Sequence, residues 1–275
     1  LLSGEKLDLP LGVRRFLFQP SIHRSRIFLE DRRFSMASKE FDVDQLAAYL
    51  HLTPDKIAKL ASQGRLPGRR VSGEWRFPES DIHHWLEEKI GASDPSELSK
   101  MEDILDRSAN SDDFYTALAD YLPLEAISIP LDARTRGSVI RKMTQLAAGT
   151  GLLWDADAMA EAVAAREDLH PTALENGVAM LHPRRPQSSI LAEPLLALGI
   201  SASPIPFGNA AGHLTDVFFL ICSTDDRVHL RLLARLSRLI SDNVWLTQLR
   251  SSSSAAEAFE LIRVGELELL EQQKS

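Results

Sequence analysis

The chain has 275 residues, 44% hydrophobic and 25% charged, which is enough for two domains with their own cores. Its net charge of −8 excludes a bulk nucleic-acid coat but leaves room for a local basic patch. The single cysteine, Cys222, excludes a disulfide framework and any multi-cysteine zinc site, and no apolar run approaches the roughly 18 residues of a membrane span. The opening Leu1-Leu2-Ser3-Gly4 lacks the apolar centre of a signal peptide, so a cytoplasmic protein is expected.

Residues 1–35 show no sustained apolar period and carry a net +3. They read as a disordered extension, with Met36 as a natural start; the rival reading is a basic arm on DNA. A regular pattern follows at once. Asp44 is a candidate cap for a helix bearing Leu46, Ala47 and Leu50. Thr53-Pro54 opens a second helix with Ile57, Leu60 and Ala61, and Gly64 ends it. Ser72-Gly73, between Val71 and Trp75, predicts a hairpin turn. A third helix opens at Pro78-Glu79-Ser80-Asp81, with Ile82, Trp85 and Leu86 facing inward.

The order helix, turn, helix, β-wing, helix resembles the small winged helix-turn-helix of the excisionase and MerR-like DNA-binding families. Asp44–Leu50, Gly64-Arg65-Leu66-Pro67-Gly68 and Trp75-Arg76-Phe77-Pro78 carry the resemblance. A net +5 from Lys56 to Arg76 agrees with it. Lys56, Lys59, Arg69, Arg70 and Arg76 are the candidate phosphate contacts, and Thr53, Asp55 or Gln63 the candidate base readers. The rival reading makes this a helix-turn-helix used for protein contact.

Residues 92–115 form an acidic, Ser- and Pro-bearing linker with one short helix at 96–107. From 116 to 275, helical and strand-like runs alternate, which predicts an α/β domain. Strands are expected at 126–131, 178–181, 194–200 and 217–222, and helices at 138–148, 155–166 and from Arg227 onward. Asn176-Gly177 is a turn, and His182 stands where the short strand 178–181 ends.

Residues 121–268 resemble enzyme IIA of the mannitol/fructose class of the bacterial phosphotransferase system, including its nitrogen-regulatory branch. Arg166-Glu167, then Asn176-Gly177-Val178-Ala179-Met180-Leu181-His182, and His229-Leu230 carry the resemblance. Leu181 stands where the family usually has proline. The resemblance implies a mixed β-sheet flanked by helices and a phosphoryl-accepting His182 assisted by His229. By sequence, Arg166 and Arg184 are candidate phosphoryl contacts, with Thr172 a weaker one.

The expected function is a IIA-like regulatory protein taking phosphate from the carrier HPr and binding DNA through its N-terminal domain. One alternative is a phosphotransfer component serving separate IIB and IIC transport proteins, with IIB as partner. Another is an interaction module that is not phosphorylated. No cofactor or metal is expected, since His83-His84 and His213 lack ligand spacing.

Overall fold

The computed structural model describes residues 40–50, 52–92, 98, 117–208 and 211–274, all within one compact unit. The extension 1–35, the start at Met36 and, apart from residues 92 and 98, the linker with its helix lie outside the described residues.

The N-terminal elements are β1 (Glu40–Phe41), α1 (Val43–Tyr49), α2 (Pro54–Ser62), β2 (Arg69–Val71), β3 (Glu74–Pro78) and α3 (Glu79–Ala92). The cap of α1 is Asp42, not Asp44. Its carboxylate accepts the Gln45 N–H at 2.8 Å, while the Gln45 side chain accepts the Asp42 N–H at 3.0 Å. This reciprocal box needs an amide or carboxylate three residues on, which Gln45 supplies. Thr53 caps α2, and Pro54 at its first position sacrifices no hydrogen bond. At the wing tip Ser72 and Gly73 both take positive φ, the geometry of a two-residue hairpin turn. β3 pairs antiparallel with β2 and with β1, and Leu46, Ile57, Phe77 and Ile82 are fully buried beneath.

The larger domain runs β4 (Ile127–Ser128), α4 (Arg136–Gly149), α5 (Ala156–Leu169), β5 (Val178–Leu181), β6 (Leu195–Pro206), β7 (Leu214–Cys222), α6 (Asp226–Ile240), α7 (Asn243–Arg250) and α8 (Ala255–Lys274). The sheet order is β4-β6-β7-β5; β6 and β7 are antiparallel, and both outer pairings are parallel. β7 is central, so Val217–Cys222 is buried on both faces and reads as an unbroken apolar run. Alternate residues split between two layers. Val178, Met180, Leu198 and Phe219 join the layer of α6, α7 and α8, while Ala179, Leu181, Ala197 and Phe218 join that of α4 and α5.

Two strands differ from expectation in length. β4 keeps two residues of 126–131, and β6 continues to Pro206 past an irregularity after Ile200. Leu181 is fully buried and in register with Leu220, so β5 runs straight to His182. Burial pushes the Cys222 thiol up to about 12, which leaves it an inert core group.

The two domains meet where α3 packs on α6. Every residue of α6 from His229 to Ile240 is buried. The cores are continuous across this contact, Ile82, Leu86 and Ile90 belonging to the same cluster as Leu230 and Leu233.

Candidate functional site

His182 is delivered by the end of β5. Asn176 anchors the preceding turn by donating to the Ile240 carbonyl at 3.0 Å. Gly177 takes φ +83°, and a Cβ there would lie 2.7 Å from the Arg250 guanidinium. The His182 ring is buried, and its Nδ1 lies 2.8 Å from the Met180 carbonyl oxygen. A carbonyl only accepts, so Nδ1 carries the proton and Nε2 presents a lone pair. Burial pushes the His182 pKa down, and His229 and Arg166 add to this against the opposing Glu87 carboxylate. The ring is therefore held neutral and nucleophilic.

His229 reaches the same point from the first turn of α6, its ring centroid 4.9 Å from that of His182 at an interplanar angle of 51°. Arg166, near the end of α5, donates to the His170 carbonyl at 2.7 Å and turns its other nitrogen toward the histidines' carboxylate partner. Behind it Glu167 is fully buried and accepts from the backbone and hydroxyl of Thr172.

The carboxylate partner is Glu87, from α3 of the other domain. Its Oε1 is 3.2 Å from His229 Nε2, and its Oε2 is 3.8 Å from His182 Nε2 and 4.0 Å from Arg166. Burial opposes its ionisation, but the contact with His229 outweighs that and holds its carboxyl well below the usual carboxylate range. Neither Nε2 has an aligned hydrogen-bond partner among the described residues. Glu87 borders two cavities. One of about 650 Å³ is lined by His83, His84, Arg184, Arg185 and Asp226; the other, of about 350 Å³, by Arg166, Thr172, His182 and Leu233.

Of the residues singled out in the sequence, His182, His229 and Arg166 come together. Arg184 is exposed at the rim of the larger cavity, and the Thr172 hydroxyl is committed to Glu167. Glu87 was not singled out. Its one sequence signal is the buried i, i+4, i+7 stripe of His83, Glu87 and Ile90 on α3, beside the stripe that packs its own domain. The donor atoms of Glu87, His182 and His229 lie within 4.8 Å of one another, a set that could hold a metal ion. Arg166 beside the same carboxylate supplies a permanent cation, and the site as a whole is better matched to an anion.

On the small domain, Lys56 and Lys59 are exposed on α2. Arg69 is paired with Glu40, Arg76 with Glu74 at 2.8 Å, and the Arg70 guanidinium lies 5.0 Å from the Trp75 ring centre. Thr53 is occupied as a helix cap.

Two histidines and an arginine thus gather around one carboxylate at a strand end of the α/β domain. Residues 120–264, more than half of the chain, match the family "Phosphoenolpyruvate-dependent sugar phosphotransferase system, EIIA 2", and the protein belongs to it. Residues 40–90 match a helix-turn-helix domain, so the chain joins a IIA-type domain to a DNA-binding type of fold. The fructose-specific EIIABC component of Bacillus subtilis (strain 168) is 24% identical over 147 residues, which cover 53% of this chain but 23% of that protein. The chain thus spans about a quarter of the length of that relative. Among solved structures, the nitrogen regulatory protein IIA-Ntr of Neisseria meningitidis (22% identical, TM-score 0.48) covers 53% of this chain and 98% of its own. IIA mannitol of Escherichia coli (19% identical, TM-score 0.46) covers 51% and 97%. No helix among the described residues is long and apolar enough to cross a membrane.

Proposed function

We propose that the protein is a phosphorylation-dependent regulator, accepting a phosphoryl group on Nε2 of His182 from phospho-HPr and binding DNA through residues 40–92. The observation that supports this most is the His182 ring itself, fixed by the Met180 carbonyl and packed beside His229, with its Nε2 facing the carboxylate that His229 and Arg166 also approach. In the transfer, a P–N bond forms at Nε2 as the donor's P–N bond breaks. The donor nitrogen keeps the bonding pair, and the proton stays on Nδ1, donated to the Met180 carbonyl. His229 and Arg166 then neutralise the phosphoryl oxygens, the usual route to stabilising such a transfer.

The regulatory part rests on the fused helix-turn-helix, whose exposed Lys56 and Lys59 suit phosphate contact. The test is incubation of the full chain with labelled phospho-HPr. The account expects a label that is lost in brief acid and kept in alkali, as for phosphohistidine. An unlabelled protein, with the donor shown active on another IIA, would leave the interaction-module reading.

A further inference from the structure

Among the described residues, Glu87 is the one member of the buried site that comes from the helix-turn-helix domain, and it occupies the space in front of the nucleophile. A phosphorus atom attacked by His182 must lie along the Nε2 lone pair at about 3–3.5 Å. The Glu87 carboxylate, 3.8 Å from Nε2, fills that volume. It is a planar anion with two oxygens, and it takes up the groups a phosphoryl anion would use: His229 at 3.2 Å and Arg166 at 4.0 Å. A second contact one turn earlier, His83 Nδ1 to Asp226 at 2.9 Å, locks the same helix onto α6.

We propose that α3 is a gate on the phosphoacceptor site, with Glu87 as a built-in anion that occupies the phosphoryl position until the donor displaces it. A phosphoryl group on Nε2 and a carboxylate in its present place exclude each other, by volume and by like charge. Phosphorylation therefore releases α3, and with it the helix-turn-helix domain, from the IIA domain. Lys56 and Lys59 are already exposed in the docked form, so release changes the domain's freedom rather than uncovering its basic helix. The proposal rests on His182 being the phosphoacceptor.

The test compares the wild-type full chain with Glu87→Ala and Glu87→Gln. If the open form is a tenth of the population or less, wild-type uptake from phospho-HPr is slowed by about tenfold or more. Glu87→Ala should recover that factor, with Glu87→Gln, which keeps the shape but not the charge, between the two. Spin labels at Ser72→Cys and Gln248→Cys, both exposed, should give one narrow distance in the unphosphorylated chain. That distance should broaden on phosphorylation, and in Glu87→Ala without it. Wild type labelled as fast as both variants, or a distance unmoved by phosphorylation, overturns the gate and leaves the phosphoacceptor reading standing. No label on any of the three, with an active donor, overturns the phosphoacceptor reading and the gate with it.

Discussion

The imidazole of His83 lies 2.9 Å from the Asp226 carboxylate, one turn along the same two helices from the contact between Glu87 and His229. The two contacts form a short ladder between α3 and α6. Burial opposes ionisation of Asp226, but the His83 imidazole 2.9 Å away wins and holds its carboxyl down. Tyr49 adds a hydroxyl 3.3 Å from the other nitrogen of His83. Because the Asp226 side chain is 40% exposed, His83→Ala should cost only about 1 kcal/mol of stability. Its larger effect should be faster hydrogen exchange along α3, with α4 and α5 unchanged.

Glu87 and Asp226 both have depressed carboxyl pKa values, and the sign of their pH dependence follows. A carboxylate whose pKa is lower in the folded protein contributes stability that is present above its unfolded value and lost as pH falls through the folded one. Docking of α3 should persist through mildly acidic pH and fail only below the ordinary carboxylate range. The distance between labels on the two domains measures this directly.

His182 has the same sign, in a higher pH window. Its folded pKa is lowered, so its neutral form is favoured by folding, and stability is lost as pH falls below the ordinary 6.5. In a proton NMR titration its midpoint should fall below 6.5. A midpoint at or above 6.5 would show that burial does not control it.

The turn before His182 gives a separate test. At Gly177 the backbone sits at φ +83°, and a methyl group would push on the Arg250 guanidinium, which binds Asp216 at 2.9 Å. Gly177→Ala should cost about 1–2 kcal/mol from backbone strain alone. A thermal midpoint lowered by several degrees is expected; an unchanged midpoint would mean the turn relaxes freely.

Much of this site is legible in the chain. Asn176-Gly177 before the short apolar run Val178–Leu181 marks a turn and a buried strand, which locates His182 at a strand end. His229 is legible through the family resemblance, as the His229-Leu230 pair that opens the helix after the most apolar strand. Glu87 is not, because an acidic residue in His83-His84-Trp85-Leu86-Glu87-Glu88 looks like part of a solvated face. Its partners lie on β5 and α6, far along the chain, and the period through His83, Glu87 and Ile90 does not report which elements it meets. The pairing of Arg69 with Glu40 escapes for the same reason: β1 is two residues long, and its register on β3 is set by packing.

That pairing shifts the expected balance of DNA binding. With Arg69 and Arg76 engaged inside the domain, Lys56 and Lys59 should carry most of the salt dependence. Replacing both with Ala should reduce the slope of log affinity against log salt by roughly 1.8, at about 0.9 per phosphate. An unchanged slope would move the interface off α2.

The most direct measurement of the central claim is phosphoryl uptake from phospho-HPr by His182→Ala and His229→Ala in the full chain. In the proposed transfer His182 supplies the attacking nitrogen, and alanine supplies none, so uptake should vanish. In that transfer His229 supplies a hydrogen bond to the phosphoryl oxygens, and losing one such donor costs about 10²–10³ in rate, so uptake should be slow but present. Label retained on His182→Ala, or lost only from His229→Ala, would contradict the account.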